Sequence, residues 1–274
     1  MKKQLVRLLM LVFLVSSFFS SCGNKNQENY GSMTFDSIQV SRTVHLFNDT
    51  AAPSCCLTIQ YTYPVKSATP GLSDSIRIRL LSACFGEQYA KLEQIAAIDS
   101  FTNTYIREYK TDLEPLYLKD KKSDPDGKNV QAWYSYYNNI TATPLTDNED
   151  VLVYKVEQSS YTGGAHGINS TLFLNFDAQT GKILHLKDIF KAGYEKELNE
   201  LLLAQLMKDK DVSTLEALQD KAYLLETPIY PSEDFFITSE GITFFYNVYE
   251  IAPYSNGTTE ISLTNKKLKE LIKE

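Results

Sequence analysis

Hydrophobic and polar positions change their spacing several times along the chain. Loose alternation over Met33–Phe47 and cleaner alternation over Cys56–Tyr63 predict two strands, the first of them bent. Apolar residues then recur every three or four positions, which predicts a helix with Ser73 as its N-cap and a longer helix over Gln88–Leu118, limited near its end by Pro115. The first half is therefore predicted to contain two strands followed by two helices.

The second half is predicted to contain mostly strands. Residues 130–141 and 151–160 are rich in β-branched and aromatic side chains and are separated by turn residues, as in a hairpin. The further predicted elements are a strand over Ile168–Asp177, a helix over Glu195–Lys208, a hairpin of Asp234–Ser239 with Gly241–Tyr249, and a closing helix over Lys266–Lys273. Because strands and helices cluster rather than alternate strictly, we expect an α+β fold with antiparallel or mixed sheets, packed helices and two small subdomains.

The first 22 residues have the layout of an export signal. Lys2, Lys3 and Arg7 precede an apolar run over Leu8–Phe19, which is shorter than the roughly 20 residues that a membrane span needs. Small residues and Cys22 follow, and this order resembles a bacterial lipoprotein signal in which Cys22 becomes lipidated. The alternative is a plain secretory signal that leaves Cys22 as a thiol. We therefore expect a lipid-anchored protein of the cell envelope, on its periplasmic or surface face, with the outer membrane favoured.

The charge balance narrows the class of partner. The chain has 27 basic and 34 acidic residues, a formal charge of −7, which becomes −10 when the three positive charges of residues 1–21 are removed. Nucleic acid is not an expected partner, because its binding needs a basic surface. Acidity serves solubility in many proteins, but it also speeds the encounter with a basic protein.

Metal and cofactor chemistry has no support in the sequence. The three histidines are far apart and form no zinc-ligand pattern, and we expect no cofactor. Cys55, Cys56 and Cys84 leave room for one disulfide at most, and buried thiols without a bridge are the preferred prediction. The aromatic run Trp133–Tyr137 can stack on sugars, although packing beneath a helix is the favoured use.

Two loops carry the candidate chemistry. Gly163 and Gly164 tolerate positive φ, so the segment 161–167 can turn sharply and present His166 to a carboxylate, a glycan hydroxyl or the cleft of a partner. The alternative, which we favour over direct chemistry, is a tight turn in which His166 bonds to the neighbouring strand. In the second loop, Glu250 either meets His166 across the sheet, as a base and its orienting group would, or caps its own turn.

A family resemblance rests on five runs in a fixed order. They are similar to the PdaC/RsiV-like family of bacterial extracytoplasmic domains: 161–167 (YTGGAHG), 175–177 (NFD), 180–182 (TGK), 186–190 (LKDIF) and 244–254 (FFYNVYEIAPY). The N-terminal residues predict a signal peptide over 1–21 and a flexible tether over 22–31. The resemblance implies a PdaC-like domain over 32–145 and an RsiV-like domain over 146–274. The candidate binding residues are Tyr161, Gly163, Gly164, His166, Gly167, Tyr249, Glu250 and Tyr254, with lipidation at Cys22.

In that family the domain accompanies peptidoglycan deacetylases and forms the outer part of anti-sigma factors that recognise lysozyme. Residues 34–37 (TFDS) imitate the start of a deacetylase metal site, but no histidine pair follows. The resemblance therefore implies a non-catalytic module that binds or senses lysozyme or another extracytoplasmic protein. The alternative is a protein that binds or processes a cell-wall glycan. One form of this alternative is an enzyme that uses His166 and a carboxylate. The third hypothesis is a structural lipoprotein.

Overall fold

A computed structural model describes residues 29–30, 33–123, 130–145 and 150–273. The predicted signal peptide, Cys22 and nearly all of the predicted tether lie outside these residues. Within the described stretches, no helix is long and apolar enough to cross a membrane. The strands are β1 (Asn29–Tyr30), β2 (Met33–His45), β3 (Ser54–Lys66), β4 (Tyr136–Leu145), β5 (Val151–Tyr161), β6 (Ile168–Asp177), β7 (Phe235–Ile237), β8 (Gly241–Tyr246) and β9 (Thr259–Thr264). The helices are α1 (Leu72–Phe85), α2 (Gln94–Ser123), α3 (Val130–Trp133), α4 (Leu186–Ile189), α5 (Glu195–Asp209), α6 (Leu215–Asp220) and α7 (Asn265–Leu268).

Two sheets organise the described chain. Strands β1 to β6 form one sheet in sequence order, and β7 to β9 form a second, three-stranded sheet. Neighbouring strands are antiparallel except β3 and β4, which are parallel. A parallel pair needs a crossover connection, and helices α1 and α2 belong to it. The prediction of an α+β fold with a mixed sheet is confirmed.

The larger core lies between the six-stranded sheet and the crossover helices. Strand β3 contributes Leu57 and Ile59, and α1 contributes Ile76 and Leu80, all almost completely buried. The alternation of β3 places one face of the strand inward, and the three- and four-residue spacing of α1 faces it. Tyr154 from β5 fills the same layer.

The smaller core surrounds the second sheet. Helix α5 buries Leu198, Leu202 and Leu206, which the four-residue spacing places on one face of the helix. These side chains pack with Phe244 and Ile261 from β8 and β9. The spacing of leucines in the sequence therefore correctly predicts the buried face of α5.

The two units meet on the outer face of β5 and β6. Val151, Val153 and Phe173 from these strands contact Phe245 from β8. Strands β4 and β5 belong to one sheet, although they lie on either side of the boundary predicted at residue 145. The division into domains at that position stays a prediction.

Several details of the predicted elements are wrong, among them the start of α2, which is Gln94 rather than Gln88, and the end of β8, which is Tyr246 rather than Tyr249. Helix α1 begins after Gly71, whose φ is +79°, and Ser73 lies buried inside the helix rather than capping it. Helix α2 continues through Pro115, because the buried Leu113 and Tyr117 on either side hold it against the sheet. The strand predicted from residue 130 begins at Tyr136, after the short α3. The closing helix α7 spans only Asn265–Leu268.

The three cysteines of the described chain are free thiols. Cys55 and Cys84 are buried, whereas Cys56 on the opposite face of β3 is half-buried. Burial raises the pKa of Cys55 to about 12, and burial also raises the pKa of Cys84 well above its usual range. These thiols therefore pack as small apolar groups.

Candidate functional site

The first candidate loop connects β5 to β6 and has a fixed shape. Gly163 and Gly164 have φ values of +89° and +106°, which side-chain-bearing residues rarely adopt. The hydroxyl of Tyr161 donates to the carbonyl oxygen of Gly164 at 2.9 Å and closes the loop on itself. The paired glycines therefore act as the sequence suggested, as the centre of a tight turn.

Gly167 is required at the end of this loop for a different reason. A Cβ atom there would overlap the hydroxyl of Tyr137 and would lie 2.9 Å from the carbonyl oxygen of Ser160. Tyr137 in turn stacks on Tyr161, with ring centroids 6.1 Å apart. Only a hydrogen atom fits between the start of β6 and this pair of rings.

Three exposed rings lie beside the loop, and we call His166, Tyr249 and Tyr254 the aromatic face. The imidazole of His166 stacks on the ring of Tyr254 at 4.9 Å with an interplanar angle of 25°. Tyr249 and Tyr254 lie 5.8 Å apart. The side chain of Tyr249 is 63% exposed and that of Tyr254 is 39% exposed. The structure therefore brings the two candidate loops together through ring contacts.

The hydrogen bond of His166 fixes which ring nitrogen carries the proton. Its Nδ1 lies 3.0 Å from the carbonyl oxygen of Gly167, which can only accept. Nδ1 is therefore the donor, and Nε2 of the neutral ring is an acceptor. The bond goes to the next residue, whereas the tight-turn alternative had His166 bonding to the neighbouring strand.

Glu250 caps its own turn. Its Oε2 accepts the N–H of Asn247 at 2.9 Å, and among the described residues it has no hydrogen bond or ion pair with His166. Of the two alternatives left open by the sequence, the capping role is the one observed. A base and orienter pair of His166 with Glu250 is not formed.

Tyr249 occupies a strained backbone conformation. Its φ is +72°, a region that costs a bulky residue on the order of 1 kcal/mol or more. The N–H of Tyr249 donates to the carbonyl oxygen of Ala252 at 3.0 Å, and the N–H of Glu250 donates to that of Asn247 at 3.2 Å. The turn holds the ring of Tyr249 in solvent despite this cost.

Asn247 attaches this turn to β6 and was not predicted to matter. Its Oδ1 accepts the N–H of Thr171 at 2.7 Å, and its Nδ2 donates to the carbonyl oxygen of Thr171 at 2.9 Å. The side-chain amide thus pairs with the edge of β6 as another strand would. Because β6 begins two residues after His166, this pairing places Tyr249 and Tyr254 beside that ring.

Asp234 is the second group that the sequence did not reveal. Burial, with Glu250 nearby, raises its pKa to about 6, against the opposing effect of the Phe173 N–H, which donates to it. Burial also raises the pKa of Glu250. Asn247 Nδ2 lies 3.4 Å from Asp234 Oδ2. A pair of carboxyl groups with raised pKa values therefore lies beside Asn247, at the turn that carries Tyr249. Asp234 has no sequence signal of its own.

The raised pKa of Asp234 predicts a pH-dependent stability. The folded state holds the proton more tightly than the unfolded chain, so the stabilisation is complete below about pH 4 and is lost as the pH rises through 6. Because Asp234 is only partly buried, we expect a loss of about 1–2 kcal/mol, less than the full shift would give. Urea unfolding from pH 4 to 7 measures this loss. The free energy of unfolding of the unmodified protein should fall by that much relative to that of Asp234→Asn as the pH rises.

Asp188→Asn is the control for this experiment. Lys182 lowers the pKa of Asp188, so this group titrates below the pH range of the measurement. Its substitution should change stability by nearly the same amount at every pH from 5 to 7, where Asp188 is ionised in both the folded and the unfolded chain. Equal pH profiles for Asp234→Asn and the unmodified protein would show that Asp234 ionises normally in the folded state.

Comparisons with known proteins agree with this fold. Residues 187–266 match the model of a protein family of unknown function, DUF3298. Over 119 residues the chain is 30% identical to the peptidoglycan-N-acetylmuramic acid deacetylase PdaC of Bacillus subtilis. The aligned region is 42% of this chain and 24% of that protein. The chain thus spans about a quarter of the length of this relative.

Two crystal structures of DUF3298 proteins are similar to this chain. The one from Pseudomonas aeruginosa, at 18% identity and a TM-score of 0.59 over 87% of this chain and 94% of that one, shows a shared fold. The one from Bacteroides fragilis is 44% identical, with a TM-score of 0.85, over 90% of this chain and 96% of that one. The chain therefore belongs to the DUF3298 family, which is related to a domain of PdaC.

Proposed function

We propose that this protein is a non-catalytic binding module of the cell envelope and that its aromatic face binds a cell-wall glycan. One observation carries the proposal: three rings stay exposed, His166 stacked on Tyr254 and Tyr249 tilted against it, and Tyr249 is held there by a strained turn. Exposed aromatic groups in contact with each other are unusual unless a ligand covers them.

The chemistry of the aromatic face suits a sugar chain. The flat rings of Tyr249 and Tyr254 offer apolar surface to the C–H faces of pyranose rings. Nε2 of His166 and the tyrosine hydroxyls add hydrogen-bonding groups at the edges of the rings. A few directional polar groups around an apolar surface are typical of small-ligand sites.

The similarity to PdaC supports a ligand from the cell wall. That relative is named for its action on peptidoglycan, and it matches this chain over 119 residues. From this relative the proposal takes the association with the cell wall. It does not take the deacetylation reaction, because His166 and Glu250 form no base and orienter pair. Glu250 is instead occupied by the N–H of Asn247.

The proposal includes the location and the anchor. Lipidation at Cys22, with residues 22–31 as tether, would hold the binding unit at the envelope, with the outer membrane as the favoured membrane. Labelling of cells with a radioactive fatty acid should mark the protein and should fail to mark Cys22→Ser. Equal labelling of both would contradict the anchor.

A second candidate ligand is a basic extracytoplasmic protein such as lysozyme. The observation that favours it is the acidic balance of the chain, with a formal charge of −7 over its full length. Complementary charge accelerates association, and its effect weakens with salt. If a specific interface adds to this charge attraction, calorimetric titration of lysozyme should give micromolar or tighter binding that persists at moderate salt. Heat that vanishes with salt would reject it.

Co-sedimentation with purified peptidoglycan tests the proposed glycan ligand. We expect the unmodified protein to bind saturably and the double variant Tyr249→Asn/Tyr254→Ala to bind at least tenfold more weakly. Asparagine is chosen at 249 because it tolerates positive φ, so the turn is kept while the ring is removed.

Ile95→Ala is the matched control, because Ile95 on α2 is 65% exposed, close to the 63% of Tyr249. It should bind peptidoglycan like the unmodified protein. Equal binding by all three proteins would show that the aromatic face does not hold the glycan, and no binding by any of them would reject the proposed function.

A further inference from the structure

A groove lies beside the loop that bears His166, and we call it the Trp133 groove. It has a volume of about 480 Å³, within the usual range for small-ligand sites. Its lining comes from α2, from the residues around the start of β4 and from the loop after β5: Leu113, Leu116, Asp120, Trp133, Tyr134, Tyr136, Thr162, Gly163 and Gly164.

One wall of the groove is a stripe along α2. Leu113, Leu116 and Asp120 are spaced by three and four residues, which places them on the same side of the helix. Leu116 is 49% exposed, so its apolar surface is open to a ligand. The stripe ends in a carboxylate, which gives the groove an apolar half and a polar half.

Trp133 forms the opposite wall. It is the single tryptophan of the chain and is 58% exposed, although the sequence favoured packing of this aromatic run beneath a helix. The structure places it at the end of α3 rather than in a strand. An exposed indole is an apolar surface with a hydrogen-bond donor at its edge.

The base of the groove is held in place by hydrogen bonds. The hydroxyl of Tyr134 donates to Oδ2 of Asp120 at 2.6 Å, and the hydroxyl of Tyr109 donates to the carbonyl oxygen of Tyr134 at 2.8 Å. Burial and the bond to Asp120 raise the pKa of Tyr134 to about 12, so its hydroxyl remains a donor at neutral pH. The second oxygen of Asp120 adds an acceptor at this end of the groove.

The groove shares its rim with the loop of the aromatic face. A Cβ atom on Gly163 would lie 3.1 Å from the carbonyl oxygen of Trp133 and 3.9 Å from the ring of Tyr136. Only residues 162–167 separate the end of β5 from the start of β6. At about 3.5 Å per amino-acid residue, the six residues of the loop span at most about 21 Å, and we expect one extended glycan chain to reach from the groove to the aromatic face.

We propose that the Trp133 groove is a second subsite for the same glycan chain and holds one sugar ring of it. This inference rests on the proposed function. The indole and Leu116 cover the apolar faces of the ring, and Asp120 accepts a hydrogen bond from a hydroxyl or an amide N–H. The same carboxylate disfavours a phosphate or another anion, which is why a neutral sugar is the expected ligand.

The single tryptophan makes the subsite directly measurable. Titration of the full chain with a tetramer of N-acetylglucosamine should change the emission of Trp133 saturably, with the same dissociation constant as in calorimetry. Leu116→Lys places a charged chain in the groove, and we expect at least a tenfold loss of affinity. Leu118→Lys is the matched control, since Leu118 is also 49% exposed on α2 but does not line the groove. It should bind like the unmodified protein.

The outcomes separate the two proposals. Calorimetric binding with unchanged Trp133 emission and an unaffected Leu116→Lys would overturn the subsite and leave the aromatic face standing. A saturable change in emission that persists in Tyr249→Asn/Tyr254→Ala would support the groove and count against the aromatic face. The absence of binding in calorimetry and in fluorescence, for the tetramer and for soluble peptidoglycan fragments alike, would overturn both.

Discussion

Replacement of Asn175 by alanine is expected to lower the free energy of unfolding by about 3 kcal/mol. Asn175 is 1% exposed, and its amide links the two sheets. Its Nδ2 donates to the carbonyl oxygen of Phe235 at 2.7 Å, and its Oδ1 accepts the N–H of Ile237 at 3.1 Å. Alanine would leave both backbone groups buried without a partner, at a cost of about 1–3 kcal/mol each. Urea unfolding at neutral pH measures this loss.

Asn169→Ala is the matched control on the same strand. Asn169 is exposed, so its replacement should change stability by no more than about 0.5 kcal/mol. A loss below about 1 kcal/mol for Asn175→Ala would contradict the conclusion that this amide holds β7 against β6.

Replacement of Gly167 by alanine is expected to destabilise the protein by about 2–3 kcal/mol and to lower peptidoglycan affinity more than tenfold. The new Cβ atom would overlap the Tyr137 hydroxyl and press on the Ser160 carbonyl oxygen, so the start of β6 must move. His166 is the preceding residue, and its stacking on Tyr254 depends on that position. Thermal unfolding and co-sedimentation measure the two effects.

The double variant Tyr137→Phe/Gly167→Ala tests the cause of this effect. Loss of the hydroxyl removes the worst overlap and leaves the contact with Ser160, so we expect partial recovery of both stability and affinity. Tyr137→Phe alone should bind peptidoglycan normally. No recovery in the double variant would show that the clash with Tyr137 is not what displaces the loop.

Much of the fold follows from local patterns in the sequence. The alternation in β2 and β3 and the leucine spacing in α5 correspond to the observed elements. The missed elements are those with weak local signals. Helix α6 has six residues, and β9 is defined by its pairing with β8 rather than by a long alternating run. The parallel pairing of β3 with β4 is a long-range contact that no local pattern contains.

The errors at helix ends have a common physical cause. Gly71 ends the preceding turn with a positive φ and lets Ser73 be buried, an arrangement that depends on tertiary packing. Pro115 removes one backbone donor from α2, but the buried neighbours Leu113 and Tyr117 keep the helix intact. Packing overrides local preference at both positions.

The candidate site was predictable in part. The Gly163–Gly164 pair indicated the first loop and the family resemblance indicated the second, and the structure brings them together at His166 and Tyr254. The contacts that create this proximity come from Asn247 and Asn175, whose amides pair with backbone groups of other strands. Such pairing leaves no period in the sequence. The raised pKa of Asp234 likewise depends on burial beside Glu250, which only the fold establishes.

The most direct test of the glycan-binding face is an NMR titration of protein with ¹³C-labelled histidine and tyrosine rings. The ligand is a soluble peptidoglycan tetrasaccharide of N-acetylglucosamine and N-acetylmuramic acid. We expect the ring signals of His166, Tyr249 and Tyr254 to shift together and saturably, while those of the buried Tyr154 and Tyr246 stay unchanged. Saturable binding that leaves the three exposed rings unshifted would contradict the assignment of this face to the glycan.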